Sequence, residues 1–132
     1  MIEEIACSEK VTLVFDKKTE AALTNVSFSV KVGESFALVG ESGSGKTSLL
    51  RLLLGLIEPT KGRVRLFGKS LDEIGHEELR KIRRNCGYIS QDPFGGLPPT
   101  LTALQAVLEP LVVTHSSLKK DEINKAKTLL SD

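Results

Sequence analysis

The sequence predicts an α/β fold with an antiparallel β segment at its N-terminal end and helices toward its C-terminal end. Three observations carry that prediction. An apolar run, Phe36-Ala37-Leu38-Val39, leads into a glycine-rich stretch, and an apolar-periodic segment from Leu49 to Ile57 follows it. That order reads as buried strand, tight turn and helix. Upstream, Val26, Phe28, Val30 and Val32 alternate with polar residues, the period of a half-buried antiparallel strand. Downstream, capped apolar-periodic segments read as helices.

Taken in order, Val11 to Phe15 is a short strand candidate and Asp16 to Glu20 a polar turn. Val26 to Val32 is the alternating strand, and Gly33-Glu34 turns into the strand at 35–39. The helix from Lys46 carries Leu49, Leu50, Leu53, Leu54 and Ile57 on a broad apolar face. Glu58-Pro59-Thr60-Lys61-Gly62 ends it, because proline cannot continue a helix and glycine permits the return. Arg63 to Phe67 is another strand, closed by Gly68. His76 to Arg84 is a charged helix; its Arg80, Lys81, Arg83 and Arg84 lie beside Glu73, Glu77 and Glu78, so a solvated face is preferred to a basic patch. Cys86 to Gln91 reads as a strand, and 92–99, with two glycines and three prolines, as a loop. Thr102 fits the N-cap of a helix through about Val113. Ser116 or Ser117 fits the cap of a last helix, with Ile123, Ala126, Leu129 and Leu130 on its apolar face.

Composition narrows the function classes. The 132 residues fit one domain or part of a larger one. Net charge is +1 and aromatics are 5%, which argues against nucleic acid as a partner, whether held by charge or by base stacking. Cys7 and Cys86 form no C-x-x-C pair and read as reduced thiols of a cytosolic protein. His76 and His115 have no neighbours at metal-ligand spacing. Met1 to Ile5 carries acids and no long apolar core, unlike a signal peptide, and no run of 18 apolar residues occurs.

The glycine-rich stretch is Gly40-Glu41-Ser42-Gly43-Ser44-Gly45-Lys46-Thr47, a full match to the P-loop pattern G-x-x-x-x-G-K-[ST]. Without a Cβ, Gly40, Gly43 and Gly45 let the backbone turn tightly and approach phosphate oxygens. Successive N–H groups then converge on the anion, and the helix starting near Gly45 adds its positive N-terminal end. Lys46 would meet the β- and γ-phosphates as a mobile charge, and the Thr47 hydroxyl would serve Mg²⁺. The competing reading of these residues is a helix capped by a glycine-rich turn.

Beyond the motif, Val26 to Leu71 and Tyr88 to Leu111 resemble the N-terminal part of the ATP-binding cassette (ABC) ATPase domain of transporters. The first stretch is similar to the family along its whole length. The second resembles the family's Q-loop region, and its Gln91-Asp92-Pro93-Phe94, later followed by Glu109-Pro110-Leu111, resembles the peptide and nickel importer subfamily. The resemblance implies a P-loop NTPase core of ABC ATPase type, an N-terminal antiparallel β-subdomain and the start of a helical subdomain. Within 1–132 it places the β-subdomain at 1–35 and 60–70, the P-loop strand and helix at 36–59, the Q-loop region at 71–99 and the start of the helical subdomain at 100–132.

The resemblance also implies roles. Phe15 falls where the family stacks an aromatic on adenine; the alternative is a core phenylalanine. Gly40 to Thr47, with Ser48 just inside the helix, would hold the phosphates of ATP. Thr47 and Gln91 would bind Mg²⁺, and Gln91 would report nucleotide state to a membrane partner; taken alone, Gln91 reads as an exposed glutamine. The signature motif, the Walker B aspartate, the general base and the switch histidine have no counterpart in these residues, so no catalytic residue is expected among them. Parallel strands that flank Phe36 to Val39 in the family have none either, which leaves an unpaired edge and predicts a marginal, oligomeric or rearranged chain. The implied partners are permease subunits and a second ATPase subunit in a head-to-tail dimer, and the implied location is the cytoplasmic face of the membrane. Three classes follow: the ATP-binding part of an ABC importer ATPase for peptides; a soluble ABC ATPase without a transporter; and a non-catalytic nucleotide-binding module.

Overall fold

The computed structural model describes residues 3–15, 21–92, 95–114 and 117–131. It divides into two compact units, Met1–Gly87 and Tyr88–Asp132.

The first unit is built on a four-stranded antiparallel sheet of order β2-β1-β3-β4. Its strands are β1 (Glu4–Leu13), β2 (Leu23–Lys31), β3 (Lys61–Leu66) and β4 (Lys69–Ser70). Residues 11 to 13 of the expected first strand are its C-terminal end; the strand starts seven residues earlier than its alternation suggested. Glu4 to Lys10 is mixed polar sequence, and pairing with β2 on one side and β3 on the other makes it a strand. A register shift between Ser8 and Val11, with Lys10 at φ 48°, bulges β1 against β2. Ser8 is buried and its hydroxyl donates to the Val26 carbonyl at 3.3 Å. Phe67 and Gly68, at φ 50° and 75°, form the tight turn between β3 and β4, the handedness that suits strand twist.

The helix α1 (Lys46–Leu53) packs on this sheet. Val11, Leu13, Leu23, Leu49, Leu52 and Val64 form the core, with Ala22, Val26, Phe28, Leu53, Ile57 and Leu71 against it. The buried face of α1 is centred on Leu49 and Leu52, whereas Leu50, expected on that face, is exposed. With leucine at most positions, periodicity alone does not select a side; the sheet does. The helix α2 (His76–Arg83) buries Ile82 and keeps its charged side in solvent, with Lys81 pairing with Glu78 at 3.8 Å and Arg80 with Glu77 at 3.7 Å.

Two expected strands do not form. Residues 35–40 lie in no strand and take no backbone partner among the described residues; Phe36 and Leu38 are about half exposed and Val39 is 92% exposed. Apolar sequence makes a strand only when a neighbouring strand takes up its N–H and C=O groups. Here Phe36 instead stacks on Phe28, ring centroids 5.2 Å apart. Cys86 to Gln91 is likewise irregular, and Ile89 is 91% exposed. Val32, expected on the inner face of β2, lies beyond its end and is exposed.

The second unit contains α3 (Ala103–Thr114) and α4 (Lys120–Leu129), which pack together and bury Leu108 and Ala126. Thr102 precedes α3 as expected: its hydroxyl accepts from the Gln105 N–H at 3.3 Å, and the Gln105 side chain accepts from the Thr102 N–H at 2.8 Å, a capping box. The start of α4 differs from expectation. Its cap is Lys119, whose N–H donates to the Glu122 carboxylate at 2.7 Å; Ser117 lies outside the helix, and Ser116 lies outside the described residues. Leu129 and Leu130, expected on the buried face, are exposed. The 16–20 turn, Pro93, Phe94 and His115 also lie outside the described residues.

Candidate functional site

The loop 40–45 joins the exposed 35–39 segment to the first turn of α1. It closes on itself: the Ser44 N–H donates to the Glu41 carbonyl at 3.2 Å. Lys46, the first residue of α1, arches back over the loop. Its ammonium donates to the Gly40 carbonyl at 2.8 Å, to the Glu41 carbonyl at 2.5 Å and to the Ser44 hydroxyl at 3.3 Å. One positive charge therefore holds three oxygens of the loop and sits among the residues the motif assigned to phosphate.

Gly45 is the N-cap of α1 and adopts the left-handed conformation at φ 90° and ψ 4°. A Cβ there would stand 2.6 Å from the Ala22 carbonyl oxygen and 2.8 Å from a Leu23 methyl. Both backbone conformation and space thus demand glycine. Gly43 is also left-handed, at φ 83°, but a Cβ there would meet nothing within 4 Å. Among the described residues no side chain caps α1, and its first turn holds no acid, so the positive end of the helix is not neutralised by its own sequence. Thr47 is exposed, Ser48 is half-buried, and Leu49 donates its N–H to the Gly45 carbonyl at 2.9 Å.

The opposite end of α1 is also held. Arg83 of α2 donates from Nε to the Leu54 carbonyl at 2.8 Å and from a terminal nitrogen to the Gly55 carbonyl. The sequence predicts a solvated helix face for Arg83; its partners are instead main-chain carbonyls 28 and 29 residues away, which no local pattern reveals.

The remaining predicted residues are placed as follows. Phe15, 42% exposed, lies two residues past the end of β1, so it is not the buried core residue of the alternative reading. Next to it, the Val14 N–H donates to the Thr60 hydroxyl at 2.9 Å. The Ala22 N–H donates to the Leu13 carbonyl at 2.8 Å. Phe15 and the loop 40–47 belong to the first unit; Gln91, exposed, belongs to the second. Among the described residues, no group of three or more His, Cys, Asp or Glu side chains is placed to hold a metal ion, and no helix is long and apolar enough to cross a membrane. Cys7 and Cys86 are free thiols. Burial pushes both up from the ordinary thiol pKa, and the carboxylates of Glu4 and Glu9 add to the effect at Cys7.

The geometry suits an anion with several charged oxygens: a left-handed glycine opening a helix, an open loop at Gly43, a lysine on the loop and a helix end with no acid of its own. Residues 23–131 match the family described as ABC transporter. A putative peptide import ATP-binding protein of Brucella ovis is 41% identical over 108 residues, which are 82% of this chain and 34% of the relative. A putative oligopeptide transport ATP-binding protein of Bacillus subtilis is 37% identical over 123 residues, 88% and 37% of the respective chains. The chain thus spans about a third of the length of the curated relatives it matches. Among solved structures, a dimeric ATP-binding cassette in a post-hydrolysis state, bound to ADP and Pi, superposes with a TM-score of 0.81 at 31% identity, over 96% of this chain and 56% of that one. A subunit of an ABC transporter complex from Clostridium perfringens superposes with a TM-score of 0.75 at 28% identity, over 93% and 47%. The fold is that of the ABC ATPase cassettes, and the chain belongs to the ABC transporter family.

Proposed function

We propose that this chain binds ATP with Mg²⁺ as the nucleotide-binding part of an ABC importer subunit that serves peptide uptake. The observation that carries the reading is the loop at 40–47, where Gly45 opens α1 in a conformation and a space that exclude a side chain, and Lys46 lies over the loop. Gly40 to Gly45 would offer backbone N–H groups to the phosphates, Lys46 would exchange its carbonyl partners for phosphate oxygens, and Thr47 and Ser48 would face the anion from the first turn. Phe15, exposed at the end of β1, would stack its ring on the base. Mg²⁺ would supply positive charge beside the phosphates, and the Thr47 hydroxyl of the loop would help hold it; a Mg²⁺ role for Gln91 is a further part of the reading. For Gln91 the support is the family resemblance alone.

Peptide as the solute rests on the names of the relatives, which are a peptide import, a peptide ABC transporter and two oligopeptide transport ATP-binding proteins. A subunit of this kind would work with permease partners at the cytoplasmic side of a membrane, as the family resemblance implies, and the dimeric neighbour supports a second ATP-binding subunit. Nucleic acid is not a partner in this reading. Residues 1–132 hold no counterpart of the family's general base, a group of the kind that contributes about 10²- to 10⁴-fold. We therefore propose binding without appreciable hydrolysis for these residues alone.

Titration with a fluorescent ATP analogue, with and without Mg²⁺, tests the reading. Saturable binding that Lys46→Ala weakens at least tenfold supports it. Binding unaffected by that substitution refutes it, and ATP hydrolysis that depends on Lys46 refutes the inactivity.

A further inference from the structure

We infer that Thr60 is a positioning residue for the Phe15 ring, and that through it the segment leading into β3 governs how well the site holds a flat base. The inference rests on the nucleotide-site reading above.

β1 ends at Leu13, so Val14 and Phe15 have no strand ladder to fix them. One side chain takes over. The Val14 N–H donates to the Thr60 hydroxyl oxygen at 2.9 Å, and the same hydroxyl lies 3.5 Å from the Val14 carbonyl, to which it donates. A hydroxyl has one proton and two lone pairs, so it can accept and donate at once. Thr60 therefore grips both polar groups of the residue before Phe15, from 46 positions away in sequence. Thr60 is itself fixed, because its N–H donates to the Thr12 carbonyl at 2.9 Å. Behind Leu13, the Ala22 N–H holds the carbonyl at 2.8 Å. Main chain and hydroxyl together thus hold Thr12, Leu13 and Val14 in succession, and the first residue beyond them is the exposed phenylalanine.

A ring stacks on a base only if it stays in one plane while the base arrives. If the grip on Val14 is lost, Phe15 samples more backbone and side-chain states, and a base must order it on binding. That penalty falls on the base-dependent share of affinity and leaves the phosphate-dependent share unchanged.

The test is calorimetric titration of the full chain, in Mg²⁺, with ATP and separately with inorganic tripolyphosphate, which has no base. Thr60→Val keeps the shape and removes the hydroxyl; Thr60→Ser keeps the hydroxyl. The expected result is an ATP affinity lowered about three- to tenfold by T60V, tripolyphosphate affinity unchanged, and ATP affinity recovered in T60S. Phe15→Ala should lower ATP affinity to a similar extent, with no further loss when T60V is added. Equal loss for both ligands, no loss for ATP, a T60S chain as weak as T60V, or a T60V chain unfolded by circular dichroism overturns the inference. An unaffected Phe15→Ala overturns it as well. A wild-type chain that binds neither ligand overturns the nucleotide-site reading itself, a result distinct from all of these.

Discussion

The Arg83 guanidinium stands against the Leu54 carbonyl at 2.8 Å and also reaches the Gly55 carbonyl, closing the C-terminal end of α1. The last carbonyls of a helix have no partner within it and carry its negative end. A half-buried guanidinium there takes up the C-cap carbonyl of Leu54 and the next one, of Gly55, with charge-assisted bonds. Arg83→Met is expected to lower stability by about 1–3 kcal/mol. Arg83→Lys should recover only part, because one ammonium does not reproduce the fork. Urea unfolding followed by circular dichroism reads both; equal stability of all three chains would refute the role.

Gly45 and Gly43 share a left-handed backbone but differ in surroundings, which makes them a matched pair. Alanine at 43 meets open space, so only the backbone conformation costs, about 1 kcal/mol. Alanine at 45 meets that cost plus a carbonyl at 2.6 Å. Gly45→Ala should therefore lower the melting temperature clearly more than Gly43→Ala. Equal melting temperatures would show that Ala22 and Leu23 yield freely.

The capping box of α3 predicts a local effect. Thr102→Ala removes the acceptor for the Gln105 N–H and should cost about 1 kcal/mol. Amide exchange at the first turn of α3 should speed up, while exchange in the β1–β2 ladder stays as it was. Uniform acceleration across both units would contradict the assignment.

The cysteines predict a pH dependence. Burial raises both thiol pKa values, so the thiolate is scarcer than usual near neutral pH. Alkylation by iodoacetamide should be slow at pH 8 and accelerate once urea unfolds the chain. The sign for stability follows from linkage. A raised folded-state pKa means the folded state holds its proton better, so this contribution is present below the unfolded thiol pKa and is lost as pH rises through the folded one. Alkylation at the rate of a free thiol in the folded chain would count against it.

The glycine-rich loop and α1 were legible because their backbone needs restrict residue types: only glycine fits position 45, and a caesura of small residues before a leucine-rich stretch marks a helix start. Elements that depend on distant partners were not. Glu4 to Lys10 is strand because β2 and β3 flank it, and nothing in its own alternation says so. Phe36 to Val39 has strand sequence without a paired neighbour among the described residues, and is irregular. The face of α1 was misread at Leu50 because leucines surround the helix, so only contact with the sheet decides. Arg83 and Thr60 escaped notice for the same reason: their partners lie 28 to 46 residues away.

The contact between position 45 and Ala22 bears on transplantation. The eight-residue motif is usually treated as a portable cassette of its own, yet here its last glycine is fitted against the main chain that enters β2. The motif and the sheet share one surface, and the sheet half of it is written in Ala22 and Leu23. A graft of Gly40 to Thr47 into another strand–helix junction would carry the loop's chemistry but not its seat. The host would have to supply a small residue with its carbonyl turned toward the helix start, or the loop would settle into a different shape.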